Sequence, residues 1–99
     1  MPLHVAPEWK PTLIAVRTQI ADYEREGTST PGKLKRAARL RASRRALATL
    51  GAEHASAVAL LKRLLAQIEA AEKDDNWSRI AELVRQLLAE VDSLVGGAG

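Results

Sequence analysis

Cysteine is absent from the 99 residues, so disulfides and thiolate metal sites are excluded, and a cytoplasmic setting is expected. Phenylalanine is absent too, and the aromatic residues are Trp9, Tyr23 and Trp77 alone. No stretch approaches the roughly 20 apolar residues of a membrane span, so no membrane partner is expected. The N-terminus, MPLHVAPEWKP, lacks the basic start and apolar run of a secretion signal. Asn76-Trp77-Ser78 fits a glycosylation sequon, which we read as chance in a chain without such a signal. The chain is 46% hydrophobic, mostly alanine and leucine. A chain of this length makes one domain with a thin core, and self-association is a common remedy for thin cores.

Acid is missing where base is densest. Lys33, Lys35, Arg36, Arg39, Arg41, Arg44 and Arg45 lie within thirteen residues that hold no Asp or Glu. Residues 1–32 carry three basic and four acidic groups, and residues 51–99 carry five and eight. The block alone makes the net charge +3. Charge of one sign, concentrated in this way, implies an anionic partner.

β-branched residues are few and good helix formers dominate, so the fold class is all-α. Residues 1–8 read as a flexible tail. The first helix spans 9–26, with Trp9, Leu13, Val16, Ile20 and Tyr23 in a narrow 4-3-4-3 stripe like a coiled-coil seam and Gly27 as its C-cap. Thr30-Pro31 suits the N-cap and first position of a second helix. At about 100° per residue, Leu40, Leu47, Leu50, His54, Ala57, Val58, Leu61, Leu64, Leu65 and Ile68 share one arc. Gly51 sits on its polar edge. Because a break normally resets the phase, we expect one long helix over 31–73, with a kink or break at Gly51 as the alternative. Lys73-Asp74-Asp75-Asn76 is a tight polar connection, and a last helix covers 77–95. That helix carries Trp77, Ile80, Val84, Leu87, Val91 and Leu94 as its stripe. The expected architecture is three helices: a long central one and a C-terminal antiparallel hairpin. The central arc is about 160° wide, too wide for one partner helix. Either residues 9–26 or a copy from another chain must cover it. The core or oligomerisation residues are Leu47, Leu50, Val58, Leu61, Leu65, Ile68, Trp77, Ile80, Val84, Leu87 and Val91.

On a helical wheel the seven cations point all round the axis. A helix charged on every side is expected to project into solvent or to be wrapped by an anionic partner. It is either a solvated arm or a phosphate contact, with an acidic protein as a further option; an anionic membrane surface is disfavoured because the block holds no Trp or Phe. Arginine outnumbers lysine five to two, and guanidinium forks match phosphate oxygens. Asn and Gln, the usual readers of adenine, are missing from the block, although arginine can read guanine. No aromatic residue interleaves the cations to stack on single strands. What remains is mainly backbone neutralisation, which is salt dependent and weakly sequence specific, and which an oligomer would multiply.

No catalytic constellation stands out, so no enzyme is expected and no cofactor is implied. His4 lies in the tail. His54 lies on the apolar arc, where a lone histidine is usually a core or interface residue. Glu72 is the only acid sharing that arc and is far from it, so no metal site follows. Asp74 and Asp75 are adjacent in a turn, which suits capping better than acid–base work. Pro31-Gly32-Lys33-Leu34 lacks the first glycine and the hydroxyl of a phosphate loop. Trp9 and Trp77 begin their stripes and read as core anchors.

The segment from Val58 to Gly96, alanine-rich helices around a short acidic turn and ending Val-Asp-Ser-Leu-Val-Gly, resembles the paired helices of short small-terminase subunits of actinobacterial phages. The resemblance implies a ring-forming protein that binds DNA and passes it to a large motor subunit. It would make Lys33–Arg45 the DNA contact and the hairpin the ring-forming part. No helix-turn-helix precedes the hairpin here. The leading expectation is thus an oligomeric, nucleic-acid-binding helical protein, with DNA as partner. The alternatives are a structural or adaptor protein that binds an acidic protein, or a small subunit of a larger nucleoprotein complex.

Overall fold

The computed structural model describes residues 10–26, 32–50 and 55–96. These form four α-helices and no strand: α1 (Lys10–Arg25), α2 (Lys33–Ala48), α3 (Ala55–Lys73) and α4 (Trp77–Gly96). Each helix touches two others: α1 packs on α2 and α4, and α3 packs on α2 and α4. The result is a four-helix bundle without diagonal contacts. None of the described helices is long and apolar enough to cross a membrane.

One helix over 31–73 is corrected to two. Along a single straight helix, Arg36 and Glu72 would stand about 54 Å apart at about 1.5 Å per residue. Their side chains instead meet at 2.9 Å. The local cause of the stop is visible at Thr49 and Leu50. Their N–H groups donate back three residues, to the carbonyls of Ala46 and Leu47, which tightens the last turn. The Thr49 hydroxyl also donates to the Ala46 carbonyl at 2.7 Å and so competes with continued helix. An in-phase arc reports which faces are buried, not whether the axis is continuous, because two neighbouring helices turn their faces to the same core. Gly51 and His54, like His4, Trp9, Gly27, Thr30 and Pro31, lie outside the described residues.

The core is aliphatic. Leu13, Val16, Ile20 and Tyr23 supply α1's share, and Leu40 and Leu47 that of α2. Val58, Leu61, Leu64, Leu65 and Ile68 come from α3, and Ile80, Leu83, Val84, Leu87 and Val91 from α4. Leu50, Trp77 and Leu94 pack at its margin. Among the described residues, those expected in the core or at an oligomer interface therefore lie in or against this chain's own core. The cover for the wide arc is supplied within the chain, through α1 on α4 and α2 on α3.

The α3–α4 connection works as read. Asp75 adopts the left-handed conformation at φ 51°. Asn76 N–H donates to the Ala71 carbonyl and Asp75 N–H to that of Glu72, the two bonds of a Schellman motif. Asn76 then caps α4, its Oδ1 accepting from Arg79 N–H at 3.3 Å. Neighbouring substitutions should therefore act in opposite directions. Asp75→Gly removes a left-handed penalty and is expected to raise stability by about 0.5 kcal/mol. Asn76→Ala loses a cap and should lower it by about 1 kcal/mol. Urea-melt midpoints of the two variants test this pair.

Candidate polyanion-binding surface

α2 is the least apolar helix of the bundle, and its packing explains where its cations go. Its buried positions are Arg36, Leu40, Ser43 and Leu47, a 4-3-4 stripe in which half the members are polar. Ser43 is satisfied by donating its hydroxyl to the Arg39 carbonyl at 3.0 Å. Arg36 is only 3% exposed. It thus departs from the expectation that the whole block faces solvent or a partner.

One side chain from each helix meets at Arg36. Its Nε donates to Glu72 Oε1 at 2.9 Å. The other carboxylate oxygen of Glu72 accepts a short hydrogen bond from the Tyr23 hydroxyl. The guanidinium carbon lies 4.8 Å from the centroid of the Trp77 ring, which sets the cation over the negative face of an indole. Burial raises the Tyr23 pKa well above its ordinary value. The hydrogen bond to Glu72 and the negative charge of Glu72 push the same way, and Arg36 opposes them weakly. Trp77 is therefore an anchor, and the thing it anchors is a charge.

The other six cations divide by position. Arg39 and Arg44 flank the buried stripe and are tied to neighbouring helices. Arg39 lies 3.7 Å from Asp22 and 3.3 Å from the Gln19 amide oxygen on α1. Arg44 lies 3.3 Å from Glu69 on α3, with its side chain still 59% exposed. Lys33, Lys35, Arg41 and Arg45 are exposed and form no ion pair among the described residues. Leu34, beside them, is 82% exposed. This leucine points outward, and an arginine takes the inward place. The missed signal was spacing: stepping back from Leu47 and Leu40 in threes and fours lands on Ser43 and Arg36. Residue type hid it.

The rest of the bundle does not repeat this charge. α3 carries three cations and two acids, α1 three and two, and α4 two and three. Several are paired, including Arg17 with Asp92 at 2.6 Å and Arg79 with Glu82 at 3.2 Å. Net positive charge is therefore concentrated on α2, the one described helix with cations and no acid. No family model, curated protein or solved structure matches this chain.

Two outcomes follow from the buried network. Arg36→Ala leaves Glu72 without its cation in a largely buried place and should cost about 3 kcal/mol in a urea melt. The double change Arg36→Met with Glu72→Leu should recover most of that loss, because it removes both charges together. The second outcome concerns alkali. With its pKa raised in the fold, Tyr23 contributes stability in full below the ordinary tyrosine value of about 10, and that contribution is lost as pH rises further. As Tyr23 is the only tyrosine, phenolate absorbance reports on it alone. It should titrate later in the folded chain than in urea, and Tyr23→Phe should flatten the alkaline limb of the stability curve.

Proposed function

We propose that this chain is a non-catalytic helical protein that binds the phosphate backbone of nucleic acid, with duplex DNA as the target, through the outward face of α2. The observation that carries the reading is the partition of the basic block. Lys33, Lys35, Arg41 and Arg45 are exposed without ion pairs among the described residues, while Arg36, Arg39 and Arg44 are engaged internally. A solvated helix needs no such concentration of cations, and mixed charge keeps the other three helices wetted. Contact through phosphates alone is largely indifferent to sequence and orders the protein along the backbone.

Self-association belongs to the same reading, since one molecule offers few phosphate contacts and an oligomer multiplies them. Its surface would lie outside the apolar stripes of α3 and α4, which α1 and α2 cover. Among the described residues, the large apolar side chains left outside are Ile14, 49% exposed, and Leu34. We read α3 and α4 as an antiparallel hairpin. A DNA-packaging role of the small-terminase kind is the setting in which such a hairpin and a basic helix would work together.

The test is a titration of labelled duplex DNA at several salt concentrations. Binding should weaken with a log–log slope of about −3.6 or steeper, about −0.9 for each outward cation. Arg41→Glu with Arg45→Glu should abolish binding and leave the thermal midpoint unchanged, because both positions are exposed. Absence of binding at low salt, or equal competition by polyglutamate, would replace the nucleic-acid reading by that of an acidic protein partner.

A further inference from the structure

The seam between α2 and α3 is an open groove. Its two stretches have volumes of about 320 and 240 Å³ and share Arg44 and Glu69, so they run into each other. A water occupies roughly 30 Å³ of liquid, so either stretch has room for a hydrated phosphodiester group. The α2 wall is the 4-3-4 stripe Ala37, Arg41, Arg44 and Ala48, and the α3 wall is the matching stripe Lys62, Ala66, Glu69 and Lys73. Both stripes advance eleven residues from end to end, about 16 Å at 1.5 Å per residue. Alanines at three of the eight places keep the seam from filling. Four of the others are cationic.

Two acids oppose these cations. Glu72, also beside the groove, is occupied by Arg36 and Tyr23. Glu69 holds Arg44 at 3.3 Å, a partly exposed pair of little intrinsic worth. Lys62 and Lys73 are exposed, one at each end of the α3 stripe, and form no ion pair among the described residues. Eleven residues bring a helix back to nearly the same angle, so the two lysines lie on one line parallel to the groove.

We infer that the polyanion path continues from the outward face of α2 into this groove, that Lys62 and Lys73 are phosphate contacts, and that Glu69 competes with phosphate for Arg44. The inference rests on the proposed backbone-binding function and adds its second helix. It commits to one occupant, a strand of the DNA duplex, because the groove pairs a line of cations on each wall with a single surface acid.

The experiment is the same salt titration with labelled duplex DNA, applied to the full chain and two variants. Lys62→Ala with Lys73→Ala should make the log–log slope shallower by about 1.8, at about 0.9 for each lost contact. Glu69→Gln should bind more tightly and steepen the slope by about 0.9, because Arg44 is released. Far-UV circular dichroism on both variants checks that helicity is unchanged; should the alanine pair lose helix, Lys62→Gln with Lys73→Gln replaces it. An unchanged slope in the lysine variant, with wild-type binding intact and still lost in Arg41→Glu/Arg45→Glu, would overturn the groove and leave the α2 surface standing. Failure of the wild-type chain to bind at low salt would instead remove the backbone-binding reading itself. Weaker binding by Glu69→Gln would show that Glu69 supports Arg44 and does not compete for it, which overturns that part.

Discussion

The buried ion pair between Arg36 and Glu72 is the contact on which the rest of this bundle depends. It takes one partner from α2 and one from α3, and it recruits Tyr23 of α1 and Trp77 of α4. Leucine and valine stripes are permissive: they bury in several registers at similar cost. A guanidinium with a directed Nε–H, a carboxylate that also accepts from a phenol, and an indole face are satisfied in few arrangements. Apolar replacements of similar volume often match a buried pair in stability. Its value here lies in specifying how four simple helices meet.

That contact also decides what the basic block is for. Seven cations in thirteen residues look uniform, but the bundle sorts them into inward, flanking and outward groups. The inward one is structural, the flanking two are held by Asp22 and Glu69, and the outward four face solvent. A polyanion meets a surface shaped by this sorting. The α2–α3 seam adds to it because small residues on both helices leave the groove open beside Lys62 and Lys73.

Much of the fold was legible from spacing. The described members of the 3-4 stripes of α1 and α4 lie in the core or pack against it, and the Lys73–Asn76 connection caps both of its helices. Two features were not legible. The break between α2 and α3 was hidden because hydrophobic phase happened to carry across it. Arg36 was hidden because a cation is ordinarily counted as polar, and nothing in α2 alone says that a carboxylate thirty-six residues later will meet it. The outward cations could be named only once the inward one was known.

The sequence by itself determined the helical class, the faces of the helices, the connection at Asp75–Asn76 and the concentration of positive charge, because each depends on local spacing and local chemistry. The tertiary structure alone decided that the central segment is two helices, that α1 helps to close the core, and that the basic block divides into buried, tethered and exposed cations. Those outcomes depend on contacts between residues far apart in the chain, where packing and charge pairing, not periodicity, choose the partner.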